Sequence, residues 1–158
     1  MRAGARQRRV LGGALLVLLA ALLAGGQPAW ADQFEEQVRE QLLLAAMAIG
    51  FGDTGYTLDR PPSVGKIHTG PDSSSYVRIP LARGKSHVLV GVCDSDCSDM
   101  DLVVHDAAMH KIGEDLQDDD TPMVELVPSQ SGEYIVQVLI PACQAYRCTY
   151  GIGVFVRE

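Results

Sequence analysis

Val90-Gly-Val-Cys-Asp-Ser-Asp-Cys-Ser-Asp-Met-Asp-Leu-Val-Val-His-Asp106 combines two strand-like apolar runs, a Cys-x3-Cys pair and five aspartates. The run that leads through it, Val88-Leu-Val-Gly-Val-Cys93, is β-branched and apolar, the composition of a buried strand. Beyond the cysteines, Met100–Asp106 places Leu102 and Val104 on one side and Asp101, Val103 and His105 on the other. Asp94-Ser-Asp-Cys-Ser-Asp99 between them consists of turn formers. The stretch predicts a hairpin whose connecting loop carries Asp94, Asp96 and Asp99, with Asp101 just beyond it.

Outward from this stretch, turn signals recur roughly every 8–12 residues, the spacing of an all-β domain. Strands are expected near Val64–His68 and over Tyr76–Leu81, Ser86–Cys93, Met100–Asp106, Lys111–Asp115, Met123–Val127, Glu133–Ile140 and Thr149–Val156. The last of these has Tyr150, Ile152, Val154 and Val156 on one face and Gly151 and Gly153 on the other. Antiparallel strands reverse at every turn. The loops 94–99, 116–122 and 141–148 therefore share one end of the domain, and they hold both cysteine pairs and both aspartate clusters. The fold class is an antiparallel β-sandwich over 64–158, preceded by one helix.

The N-terminal part reads differently. Met1–Arg9 is basic, Val10–Ala24 is apolar, Gly25-Gly-Gln-Pro28 breaks the run, and Ala29-Trp-Ala31 fits an A-x-A cleavage site. Residues 1–31 are expected to be an export signal that is removed, which puts the product in the periplasm or outside the cell. Asp32 and Glu35 are spaced as a capping box. Phe34, Val38, Leu42, Ala45 and Ile49 then form one helical stripe, flanked by Leu44 and Met47. An amphipathic helix is expected over 33–49, within a segment 32–50, followed by a Gly- and Pro-rich linker over 51–63. No later run is long enough for a membrane span, so an integral membrane protein is not expected.

Charge narrows the partners. Four of the 13 basic residues (Arg2, Arg6, Arg8, Arg9) lie in the expected signal and all 20 acidic residues lie after it. Removing the signal shifts the formal net charge from −7 to −11. That argues against nucleic acid and favours metal ions, basic peptides or uncharged ligands. Cys93, Cys97, Cys143 and Cys148 are an even set in an exported chain, which predicts two disulfides. Their spacings lack the tight knuckle of a zinc site. Of the three connectivities, Cys93–Cys97 and Cys143–Cys148 are favoured because each pair brackets one loop. Asp94, Asp96, Asp99 and Asp101, with Asp118, Asp119 and Asp120 across the same rim, supply hard oxygen ligands suited to Ca²⁺. The pattern is not an EF-hand, since counting from Asp94 puts Asp99 where the glycine belongs and His105 where the glutamate belongs. His68, His87, His105 and His110 are scattered and read as surface or strand-face residues. Neither a G-x-x-x-x-G-K-[ST] nor a G-x-S-x-G motif is present in the sequence.

Three segments are similar to the bacterial pre-peptidase C-terminal domain: Asp99-Met-Asp-Leu-Val-Val-His-Asp106, Asp119-Asp-Thr-Pro-Met-Val-Glu125 and Ser131-Gly-Glu-Tyr-Ile-Val-Gln-Val138. The resemblance spans about residues 64–157 and leaves the helix outside. It implies a jelly-roll type of sandwich and a non-catalytic role beside exported enzymes, with calcium or matrix polymers as ligands in some members. Together these readings lead to a non-enzymatic, exported binding or interaction module. It is calcium-stabilised at the acidic rim and has a protein or polymer partner in the envelope or outside the cell. The alternative is an accessory envelope protein that docks a partner through helix 33–49. A hydrolase is the third class.

Overall fold

The computed structural model describes residues 29–158, apart from residues 49, 51, 69, 71 and 72 and the side chains at 29–32, 34 and 35. The chain divides into two compact units, 1–31 and 32–158. The expected export signal lies outside the described residues, except for the backbone of its last three. In the second unit an amphipathic helix is followed by two antiparallel sheets.

Helix α1 spans Ala29–Ala48. It starts upstream of the expected cap, so Asp32 lies inside the helix rather than at its N-cap. It ends where Gly50 and Gly52 take positive φ (72° and 82°), a conformation that glycine adopts without a Cβ clash. The strands are β1 (Thr57–Leu58), β2 (Ser63–His68), β3 (Ser74–Leu81), β4 (Ser86–Cys93), β5 (Cys97–His105), β6 (Lys111–Asp115), β7 (Met123–Leu126), β8 (Gly132–Cys143) and β9 (Arg147–Arg157). One sheet has the order β1-β9-β4-β7, with β2 also pairing with β9; the other has the order β3-β8-β5-β6. From β2 to β9 the chain passes back and forth between the sheets at every connection except the β5–β6 hairpin, the winding of a jelly roll. All pairings are antiparallel.

Two expectations are corrected here. β4 and β5 do not form a hairpin: they belong to different sheets, and the turn between them crosses the top of the sandwich. The stretch 51–63 is not a free linker, because β1 pairs with β9 (Thr57 opposite Val156) and Tyr56 is buried. The Tyr56 hydroxyl donates to Glu125 Oε1 at 2.8 Å and lies 2.8 Å from Ser86 Oγ. The Arg157 guanidinium sits 4.6 Å over the same ring. Tyr56 thus fastens the segment after the helix to β4 and β7. These hydrogen bonds, first from Tyr56 and then from Ser86, hold the Glu125 carboxyl below its ordinary range.

Burial follows the strand period. Leu102 and Val104 of β5, Val136 and Val138 of β8, Leu89 of β4 and Ile152 and Val154 of β9 fill the space between the sheets. Tyr150 reaches across it, its hydroxyl 2.7 Å from Ser75 Oγ on β3. A second core lies on the outside of the β9-β4 sheet. There Val38, Leu42, Ala45 and Ala46 of α1 meet Val88, Val90, Val92 and Phe155. This explains why β4 is apolar almost throughout: it is covered on both faces. Each fully buried Val, Leu or Phe contributes roughly 1.5–3 kcal/mol, so the helix is a structural layer of the fold. Its approach depends on β9 lacking side chains at two positions. A Cβ on Gly151 would lie 2.3 Å from Val38 Cγ1, and one on Gly153 would lie 3.3 Å from Leu42 Cδ2. Leu43, Leu44 and Met47 of the helix face outward and are exposed.

Of the two places expected for it, surface or strand face, His87 takes the strand face, and that face is buried. It is 1% exposed at the lower end of β4. Its Nε2 faces the backbone of Ala82, 3.2 Å from the carbonyl oxygen and 3.3 Å from the nitrogen, while Nδ1 is buried without a partner. Burial lowers its pKa, partly opposed by the Ala82 hydrogen bond and by Asp59, and reinforced by Arg60 and Lys85. The neutral ring therefore belongs to the folded state, while the unfolded chain binds the proton at about pH 6.5. This contribution to stability is complete above that pH and is lost as pH falls below it, toward the lowered folded value. Urea unfolding should show stability declining from pH 7 to pH 5, and His87→Gln should flatten that decline. An unchanged slope in the variant would remove His87 as its source.

Candidate functional site: the acidic rim

The end of the sandwich where β4 leads into β5 collects three loops, as the strand reversal requires. Met100 N donates to Asp119 O at 2.9 Å, Gly91 N to Pro122 O at 2.9 Å and Gln144 N to Asp96 O at 2.7 Å. The loops 94–99, 116–122 and 141–148 are therefore stitched to one another through the backbone. Two disulfides close the same end, Cys93–Cys97 and Cys143–Cys148. Each joins one sheet to the other, because Cys93 and Cys148 lie on β4 and β9 while Cys97 and Cys143 lie on β5 and β8.

The seven aspartates expected to act together separate into groups. Asp94 turns inward and is 2% exposed. Its Oδ2 accepts from Thr149 N at 2.6 Å and its Oδ1 from Asp96 N at 3.3 Å, so its carboxylate is committed to holding the loop onto β9. Asp120 is exposed and accepts from the Thr121 hydroxyl at 2.9 Å, and Asp119 Oδ1 accepts from Thr121 N at 2.9 Å. Asp96 is half-buried and, with Ser95, lines an open depression shared with Glu36 and Glu40 of α1.

Asp99 and Asp101 form the centre. Asp99 is half-buried, and its Oδ1 is shielded from solvent with no hydrogen-bond partner. Burial raises its carboxyl above the ordinary range, and the nearby charges of Asp118 and Asp119 add to the shift. Asp101 is raised in the same direction by burial, then by Asp99 and Asp115. The structure thus brings Asp99, Asp101, Asp118 and Asp119 into one electrostatic group and adds Asp115, which sequence reasoning left out. Asp115 is fixed in place, since Met123 N donates to its Oδ2 at 2.8 Å. The signal for it was present: β6 ends at Asp115, directly at the rim. Among the described residues no three or more His, Cys, Asp or Glu side chains are arranged as a metal-binding group. A cation at this centre would need the exposed Asp118 and Asp119 side chains to turn toward Asp99. In the loop 141–148, Tyr146 is exposed and packs edge-on against His68, with ring centroids 5.0 Å apart.

No family model matches the chain, and no curated protein matches it either. No described helix is long and apolar enough to cross a membrane.

Proposed function

We propose that this chain is a non-catalytic binding or interaction module of the periplasm or the cell exterior, that its rim is the working surface, and that Ca²⁺ steadies that rim. The observation that carries the reading is the state of Asp99. A shielded carboxylate oxygen without a donor, flanked by two further carboxylates, is unfavourable unless a cation screens it. Ca²⁺ tolerates irregular sets of six to eight oxygens, so Asp99, Asp101, Asp118 and Asp119 could join with backbone carbonyls and water. Asp94 is not in this set, since its oxygens are occupied. The disulfides favour an oxidising compartment. The jelly-roll order is the sandwich type that the resemblance to the pre-peptidase C-terminal domain implies, and the non-enzymatic role rests on that resemblance.

A ligand that binds only the folded state raises stability by roughly 2.7 kcal/mol at a hundredfold excess over Kd. The protein lacking residues 1–31 should therefore melt at a higher temperature in millimolar calcium than in chelator, at constant ionic strength. Asp99→Ala with Asp101→Ala should abolish the difference, and Asp94→Asn should retain it. Equal melting temperatures for the parent protein in the two buffers would leave the rim a solvated acidic surface.

A second reading rests on a different observation. Leu43, Leu44 and Met47 are 61%, 59% and 68% exposed on the outward side of α1. Beside them Leu58, Pro62 and Phe155 line an apolar groove with Arg39 at its edge. An accessory protein that holds a partner through its helix would present such a surface, and its binding would not respond to calcium.

A further inference from the structure

We propose that the two disulfides act as a pair, and that a two-electron reduction moves the remaining bridge to Cys97–Cys143, releasing both links between the sheets at once. The placement is set by strand register. Cys97 on β5 lies directly opposite Cys143 on β8. Antiparallel partners have Cα atoms about 4.5–5.5 Å apart, inside the range of about 4.4–6.8 Å that a disulfide spans. On the other sheet, Cys93 lies opposite Tyr150, so Cys148 is displaced from it by two residues. One cross-strand bridge is therefore available within the β5-β8 pair and none is matched to it on β4 and β9.

Access sets the order of events. Cys93 and Cys148 are fully buried and Cys97 is 5% exposed, whereas Cys143 is half-buried. A small monothiol, as its thiolate, attacks Cys143 Sγ. The Cys143–Cys148 bond breaks, a mixed disulfide forms, and the Cys148 thiolate leaves and takes up a proton. A second monothiol resolves the mixed disulfide, giving the oxidised small disulfide and the Cys143 thiolate. That thiolate attacks its neighbour Cys97, forming Cys97–Cys143 and expelling Cys93 as a thiolate, which is protonated. Two small thiols are oxidised to one disulfide, and the protein gains two thiols and keeps one bridge. Before exchange each disulfide ties β4 or β9 to β5 or β8. Afterwards the surviving bridge lies within one sheet, and no disulfide closes the loops 94–99 and 141–148 across the sandwich.

Trypsin makes the outcome readable. Cys93 and Cys97 share the peptide 86–111, Cys143 lies on 112–147 and Cys148 on 148–157. The folded protein would be equilibrated in glutathione buffers of stepped ratio, quenched with an alkylating agent, digested and mapped without reduction. The expected new species links 86–111 to 112–147 through Cys97, with Cys93 and Cys148 alkylated. Its absence at every ratio, with only the two original bridges lost one by one, would overturn the exchange. So would equal amounts of all four cross-pairings between the two cysteine pairs, the pattern of scrambling in an unfolded chain. A Cys93→Ser, Cys148→Ser variant gives a second reading: under oxidised glutathione it should form the Cys97–Cys143 bridge within one chain, and two persistently free thiols would contradict the geometry.

Discussion

Gly151→Ala is expected to destabilise the protein by on the order of 2–3 kcal/mol, the range of an overpacked core, and to loosen the helix selectively. In an open strand the same change would favour folding slightly by restricting the unfolded chain. Here the new methyl would meet Val38 Cγ1 at 2.3 Å, with Leu42 Cδ1 at 3.2 Å behind it. The clash should be relieved in a Val38→Ala background, where the colliding atom is gone. The double-mutant cycle should therefore give a favourable coupling of roughly 1–2 kcal/mol between two substitutions that are each harmful alone. Urea unfolding supplies the free energies, and limited proteolysis around residues 49–55 reports on helix release. Additive effects of the two substitutions would mean that α1 does not rest on this glycine.

Asp94→Ala is expected to cost about 3 kcal/mol, although a surface aspartate in a turn would tolerate the change. Thr149 N and Asp96 N lose their acceptor together, and a buried unpaired amide costs about 1–3 kcal/mol. Asp94→Asn retains one acceptor oxygen but turns an NH₂ toward a donor, so it should fall between the parent and alanine variants. Amide hydrogen exchange at Thr149 should accelerate in both variants. Stability of Asp94→Ala within about 0.5 kcal/mol of the parent, the usual range for surface changes, would return Asp94 to the solvent-facing rim.

The residues show why one part of the fold was legible in the sequence and another was not. β4 and β6 have the expected boundaries because a continuous β-branched run, for β4, and flanking turn residues, for both, are local signals. β8 continues to Cys143, beyond the Ile140 expected from the sequence. Pro141 suggests a break, yet the strand passes through it at an exposed position to place Cys143 opposite Cys97. β1 was missed because two residues in a Gly- and Thr-rich stretch carry no period. The hairpin expectation for β4 and β5 failed for a deeper reason: antiparallel neighbours in sequence look alike whether they pair or face one another across a core.

The shared end of the three loops was legible because it follows from counting reversals. The division of labour among the aspartates was not, since the environment of Asp94 depends on Thr149, which lies 55 residues away. The burial of His87 was not legible on similar grounds, because nothing local reveals that Ala82 and the segment at Asp59 and Arg60 close over that end of β4. Sequence supplied the stripe on α1 but not the acceptor for it. The paired glycines of β9 were read only as the second face of a strand and proved to be the seat of the helix.

β9 also bears on the order in which the molecule assembles. It pairs with β1, β2 and β4 and carries the glycines beneath α1, and every one of these partners precedes it in the chain. As the polypeptide emerges from its N-terminal end, the helix and three strands of one sheet appear before the strand they have in common. The β3-β8-β5-β6 sheet is complete once Cys143 is out, whereas the other has no centre until residues 147–157 arrive. Such late, distant pairings are slow to form, and the sheet built on β9 can close only once residues 147–157 are available. A chain ending just before Arg147 would keep its helix and three strands of that sheet but lack the strand on which all of them rest.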